Sequence, residues 1–286
     1  IPLLIMMMSM FPYLPGGIRL ENIVLPLLTF WVFITAFRSK IRVNYFFVSA
    51  IFSLCMCLFA VLIGSFLSDL TGFSASPVGM FVRLCMPILM LISFSVLLSR
   101  LPHPLESTAI AIVFLAVPAA LVALLSVFFD ISEILGLWIK NENDGVWAQS
   151  YAIGRFNGLF NQPLEAGVFY STSLFACIYL LKVKPNVRKV NLIGLAIIVI
   201  GGVLSLSKNF TVLGLITGLF FSVSIKLLSI CNALMLAVLA FLVVFYMLQI
   251  NSSYLESFID LFNEGGFLLA LTAGRLGAGD TEVSLL

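Results

Sequence analysis

The chain has 286 residues, 62% of them hydrophobic and only 10% charged, with a formal net charge of +2 and a mean hydropathy of +1.17. Soluble domains are about 45–50% apolar, so the composition excludes an ordinary soluble fold and indicates an all-α integral membrane protein, a polytopic transmembrane helical bundle. The small charge, with no basic run interleaved with aromatics, excludes nucleic acid as a partner.

A helical span needs about 20 apolar residues. In chain order, apolar runs between charged or Pro/Gly breaks predict spans at 1–13, 20–37, 43–67, 78–98, 107–129, 164–181, 190–206, 209–225 and 228–248, about nine in all. The runs are apolar all round, without the alternation of barrel strands. The first run opens at Ile1 and the last segment is polar. The sequence is therefore read as a fragment truncated at both ends, a single integral membrane domain over 1–286. Cys55, Cys57, Cys85, Cys177 and Cys231 all fall within apolar runs, which argues against a disulfide framework or a thiolate metal site and for small helix- or lipid-facing residues.

Charge distribution sets the expected orientation. If 38–42 is cytoplasmic, strict alternation puts Arg100, the 182–189 loop and Lys226 on the same side. Nine of the fifteen basic residues then lie there, while twelve of the thirteen acidic residues, all but Glu106, lie opposite. This is the positive-inside pattern.

Two external segments are long: the loop 130–163 and the start of a large loop at 249–286. In the first, "DISEILGLWIK" spaces Ile131, Ile134, Leu135, Trp138 and Ile139 on one face, which predicts a short interfacial helix. "ESFIDLFNEGGFLLAL" in the second has similar periodicity. His103 is the single histidine, in a cytoplasmic loop, so a histidine-rich metal site cannot form in this stretch. Signatures of the phosphate-loop, HExxH and GxSxG kinds are missing.

The remaining candidates are polar groups at the external border: Arg155 in "GRFNGLFNQPLEAG", Lys208 in "LSLSKN" and Arg275 in "GRLGAGD". Ionisable groups there are costly and mark function or interfacial anchoring; Arg19 and Arg83 are read as anchors. Three cations on one side invite an anion, and arginine's fork with lysine's point charge suits a diphosphate. Helix initiation is the alternative reading of "NQPLEAG". Pro163 fits a first turn, Asn161 or Gln162 can cap, and Glu165 suits the helix dipole. It leaves "GRFNGLF" unexplained.

The order and placement of these three motifs resemble the O-antigen polymerase and ligase family. The resemblance implies a type C (GT-C-like) glycosyltransferase of the bacterial inner, cytoplasmic membrane, metal-independent and without a cofactor, with its active site on the periplasmic side. It further implies a substrate of undecaprenyl-diphosphate-linked glycans, an environment of membrane lipids, and a chain-length regulator and a flippase as pathway partners. Arg155, Asn161, Lys208 and Arg275 would bind substrate, with Arg155 also catalytic. Lys208 stands where the family has arginine, and lysine cannot make the paired fork contact. Cations aimed at a departing diphosphate stabilise the transition state above the ground state. Glu165 is the nearest carboxylate to serve as base, with helix capping its alternative role. The form "FNQPLEAG" resembles capsular and exopolysaccharide polymerases; a ligase handing the glycan to another acceptor is the alternative. A transporter of lipid-linked sugars is the rival from another class, and such proteins carry mid-span charges and paired broken helices.

Overall fold

The computed structural model describes residues 1–7, 10–12, 19–38, 77–138, 146–152 and 154–227, with isolated positions elsewhere up to 232. Every regular element assigned among them is helical: α1 (Pro2–Met6), α2 (Glu21–Arg38), α3 (Pro77–Leu98), α4 (Pro104–Phe128), α5 (Ser132–Trp138), α6 (Val146–Ala152), α7 (Pro163–Val183), α8 (Arg188–Leu204) and α9 (Thr217–Ser224), with a 3₁₀ turn at Pro185–Val187 and a π-helical segment at Phe210–Ile216. Among the described residues, three helical stretches are long and apolar enough to cross a membrane: Pro104–Phe128, Pro163–Val183 and Pro185–Leu204. They coincide with the expected spans at 107–129, 164–181 and 190–206. Shorter apolar helices lie at Glu21–Thr35, Cys85–Leu98 and Phe210–Ser224, inside three more. Of the expected span at 1–13, residues 8, 9 and 13 lie outside the described residues. Among the described residues its helix is Pro2–Met6, and the Met10 N–H bonds the Met6 carbonyl. The expected spans at 43–67 and 228–248, and the loop 249–286, lie outside the described stretches.

The chain divides into two compact units, Ile1–Leu115 and Ala116–Leu286. In the first, α1, α2 and α3 enclose Leu4, Met7, Phe11 and Leu25, with Met86, Met90 and Phe94 against them. Thr29 and Ser93 join α2 to α3 through a buried hydroxyl pair at 3.0 Å, and the Thr29 hydroxyl also bonds the Leu25 carbonyl. Arg19 pairs with Glu21 at 3.1 Å just before α2, so this expected anchor is held by a carboxylate.

The second unit holds the motifs. α7 and α8 form an antiparallel hairpin: Cys177 Sγ donates to the Asn191 carbonyl near the tight turn, while Gly167 meets Ser207 at the other end. Segment 210–224 returns alongside α7, with Gly214 at Ser171, Gly218 at Leu174 and the Phe175 ring 5.6 Å from Phe221. α4 fits against this group through Ala116, Ala119, Ala120 and Ala123, each fully buried. Their i, i+3, i+4, i+7 spacing makes one small-residue stripe, which lets helix backbones approach closely where lipid would remove any hydrophobic drive. A Cβ at Gly201 would stand 2.5 Å from the Ala120 Cβ. Phe160, Phe169, Tyr170 and Phe210 fill the wider end with ring centroids 5.0 to 6.5 Å apart, each such pair adding about 0.5–1.5 kcal/mol beyond its buried area.

The short helix expected in this loop forms as α5, with a changed face. Leu135 is buried against Ile131, Trp138, Ala148, Tyr151 and Leu159, whereas Ile134 is 68% exposed and does not share it. Ile139 lies outside the described residues.

Candidate functional site

The loop after α6 folds by rules legible in its residues. Gly154 takes φ +72° and its N–H bonds the Tyr151 carbonyl, while the Arg155 N–H bonds that of Ser150, which closes α6. Glycine adopts this left-handed turn without the Cβ penalty. The next residues run to the far end of α8. There the Phe156 N–H reaches the Leu204 carbonyl at 3.0 Å, and Arg155 Nη2 donates to the Leu206 carbonyl at 3.0 Å. A helix C-terminus leaves its last carbonyls unpaired and carries partial negative charge, so Arg155 and Phe156 together cap α8. Leu206 itself holds φ +45°, unusual for a bulky side chain.

Gly158, at φ +66°, lies under α4 and α7. A Cβ there would overlap the Ala119 carbonyl and stand 2.8 Å from Tyr170 Oη. Neighbouring Asn157 is 2% exposed. Neither of its amide atoms, nor Tyr170 Oη, has a hydrogen-bond partner among the described residues. Buried polar atoms without partners are uncommon in native proteins.

Lys208 begins the next helical stretch. A Cβ on Gly167 would overlap Ser207 Oγ, and it would be 2.6 Å from Ser207 Cβ and 3.2 Å from Phe210 N. Gly167 near the start of α7 therefore lies against Ser207, the residue before Lys208. Burial lowers the Lys208 pKa, and the charge of Arg155 lowers it further. Two cations 53 residues apart in sequence (208 − 155) thus share one end of the α7–α8 hairpin. The basic residues Lys182, Lys184, Arg188 and Lys189 occupy the opposite end.

Of the expected site residues, Arg155 and Lys208 come together here, and Glu165 stands in the first turn of α7. Asn161 sits half-buried in the bend before α7. Arg275 lies outside them, as does the Arg83 side chain. The expected side-chain cap does not form: Gln162 is the N-cap and makes no cap hydrogen bond, while Pro163 and Glu165 do occupy the first turn. His103 is an exposed loop residue before α4. Among the described residues no three His, Cys, Asp or Glu side chains gather as a metal site requires. Cys85 and Cys177 are buried and Cys55 is exposed.

Sequence reasoning missed Asn157, Gly167, Tyr170, Leu206 and Ser207. "NG" at 157–158 is a turn signal that could have marked the first. The others depend on contacts between distant segments. The chain matches no protein-family profile, no curated protein and no solved structure. The family resemblance therefore stands on the motifs themselves.

Proposed function

We propose that the chain belongs to a polysaccharide polymerase of the bacterial cytoplasmic membrane, a glycosyltransferase that joins undecaprenyl-diphosphate-linked repeat units on the external face. The observation that carries this reading is the pairing of Arg155 and Lys208 at one end of a membrane-length hairpin, with the basic loop at its other end. Positive-inside topology puts the basic loop in the cytoplasm and the cation pair outside.

In the reaction, the C1–oxygen bond of the donor sugar breaks as a hydroxyl of the acceptor sugar attacks C1, and the lipid diphosphate leaves. Arg155 and Lys208 hold that diphosphate and offset the charge it gains. Glu165, on the neighbouring first turn, accepts the hydroxyl proton. Arg275 would complete the diphosphate site from the large loop, and Asn161 would bind glycan at the bend.

The rival transport reading has less support. Among the described residues of α7, α8 and segment 210–224, Lys, Arg, Asp and Glu occur only near the ends, whereas transport pathways place charges mid-span. Replacement of Arg155 by alanine tests the polymerase: single lipid-linked repeat units should accumulate on the external face at unchanged protein level. Polymer of normal length and amount in that strain would refute it.

A further inference from the structure

We propose that Leu206 is a positioning residue for the Arg155–Lys208 pair, its backbone carbonyl holding the Arg155 guanidinium where the two cations jointly receive a phosphate ester or diphosphate. The proposal rests on reading the pair as that anion's site.

Three observations converge. Arg155 Nη2 bonds the Leu206 carbonyl at 3.0 Å, across 51 residues of sequence. Leu206 holds φ +45° although a bulky side chain disfavours that region; its N–H bonds the Val203 carbonyl, so the α8 end is wound into this turn. Lys208 follows two residues later, with Ser207 between them held 4% exposed against Gly167. The left-handed residue aims its carbonyl at the loop that carries Arg155, and the chain then re-enters helix at Lys208. One turn thereby fixes both charges. A non-glycine residue in a disfavoured conformation persists where the surroundings over-determine it, and such residues cluster at functional sites. Helix termination alone would be served by glycine, which adopts the same turn at less cost.

The residue-type dependence is distinctive. Leu206→Gly keeps the left-handed turn and the carbonyl, whereas β-branched Leu206→Val disfavours the turn. The test uses the purified chain in mild detergent. It measures affinity for inorganic diphosphate, and the pH dependence of Lys208 acylation read by mass spectrometry.

Leu206→Gly should match the parent within about twofold. Leu206→Val should bind about tenfold or more weakly, the order of one lost charge-assisted contact. Its Lys208 acylation profile should move to higher pH as Arg155 withdraws, and Leu206→Val should add no further shift in an Arg155→Gln background. A merely structural role would lower stability without moving that profile. Should Leu206→Val fail to fold, an ester in place of the 206–207 peptide bond weakens the same carbonyl and should give the same shift.

Parent-like affinity and profile in Leu206→Val or the ester overturns the proposal. No diphosphate binding by the parent chain sinks the anion-site reading instead, and the acylation profile still decides whether Leu206 positions Arg155. Repeating the titration with a polyprenyl diphosphate in mixed micelles separates the two sources of the anion: tighter binding than inorganic diphosphate identifies the lipid-linked form, and equal binding the free one.

Discussion

Gly167 offers the sharpest test of how the two motifs are locked together. A Cβ at this position would lie 2.6 Å from the Ser207 Cβ and overlap its hydroxyl. The hydroxyl can rotate away, but the Ser207 Cβ is fixed by its backbone. Opening 2.6 Å to an ordinary contact of 3.4 Å requires about 0.8 Å of backbone movement between α7 and the α8 end. Overpacking of this kind costs about 1–3 kcal/mol. Gly167→Ala should therefore lower stability by that amount, whereas Ser207→Gly alone should cost about 0.5–1 kcal/mol through chain entropy. Because Ser207→Gly removes the clashing atoms, the double variant should be more stable than the sum of the singles by about 1–2 kcal/mol, well inside the range of couplings between touching residues. Equilibrium unfolding of the four proteins in mild detergent measures the cycle. Additivity within about 0.3 kcal/mol would refute the packing of "NQPLEAG" on "LSLSKN", and with it the shared site.

Three further outcomes follow from the same geometry. Burial and Arg155 lower the Lys208 pKa, so the native protein binds fewer protons than the unfolded chain from that lowered value up to the ordinary lysine value of about 10.4. Stability should rise with pH across that window; Lys208→Met should flatten the rise in unfolding midpoint and abolish diphosphate binding, and a persistent slope would count against the assignment. Gly158→Ala combines a positive φ with overlap on the Ala119 carbonyl; it should destabilise by about 2–4 kcal/mol, readable as a fall in unfolding midpoint. Hydrogen bonds from Ser132, chiefly its side chain, lower the Asp130 pKa, and the Ser132 N–H reaches Asp130 Oδ1 at 3.1 Å. The stabilisation of α5 is complete above the unfolded value of about 3.9 and is lost as pH falls through the folded one. Amide exchange in α5 should accelerate there, and less steeply in Asp130→Asn, which can still cap.

Much of the second unit was legible because long apolar runs have one helical solution in lipid: α4, α7 and α8 fall where Pro, Gly and charge bracket the runs. Short-range logic was less reliable. Gln162 leaves the expected cap unmade because Pro163 and the first-turn Glu165 already favour the helix start. Ile134 turns outward since α5 lies on Leu135, Ile131 and Trp138, a narrower stripe than the sequence offers. The site was half legible. Arg155, Lys208 and Glu165 could be nominated as costly charges near apolar runs, but Leu206, Ser207 and Gly167 acquire meaning only from approaches between α7, α8 and the loop, which single-chain periodicity does not encode.

The bond from Arg155 to the α8 end redistributes functional weight within the pair. A cation at a helix C-terminus stabilises it by about 0.3–1 kcal/mol, so Arg155 has a structural reason to be where it is even without a ligand. At Lys208, burial and the neighbouring Arg155 both oppose the charge. A helix start there would accept serine or asparagine at no electrostatic cost. A charge is thus kept at Lys208 against both effects, although the longer motif surrounds Arg155. An anion between the two would offset the penalty on Lys208. Loss of Arg155 should accordingly weaken both the α8 end and anion binding, and loss of Lys208 should weaken anion binding while leaving the α8 end capped.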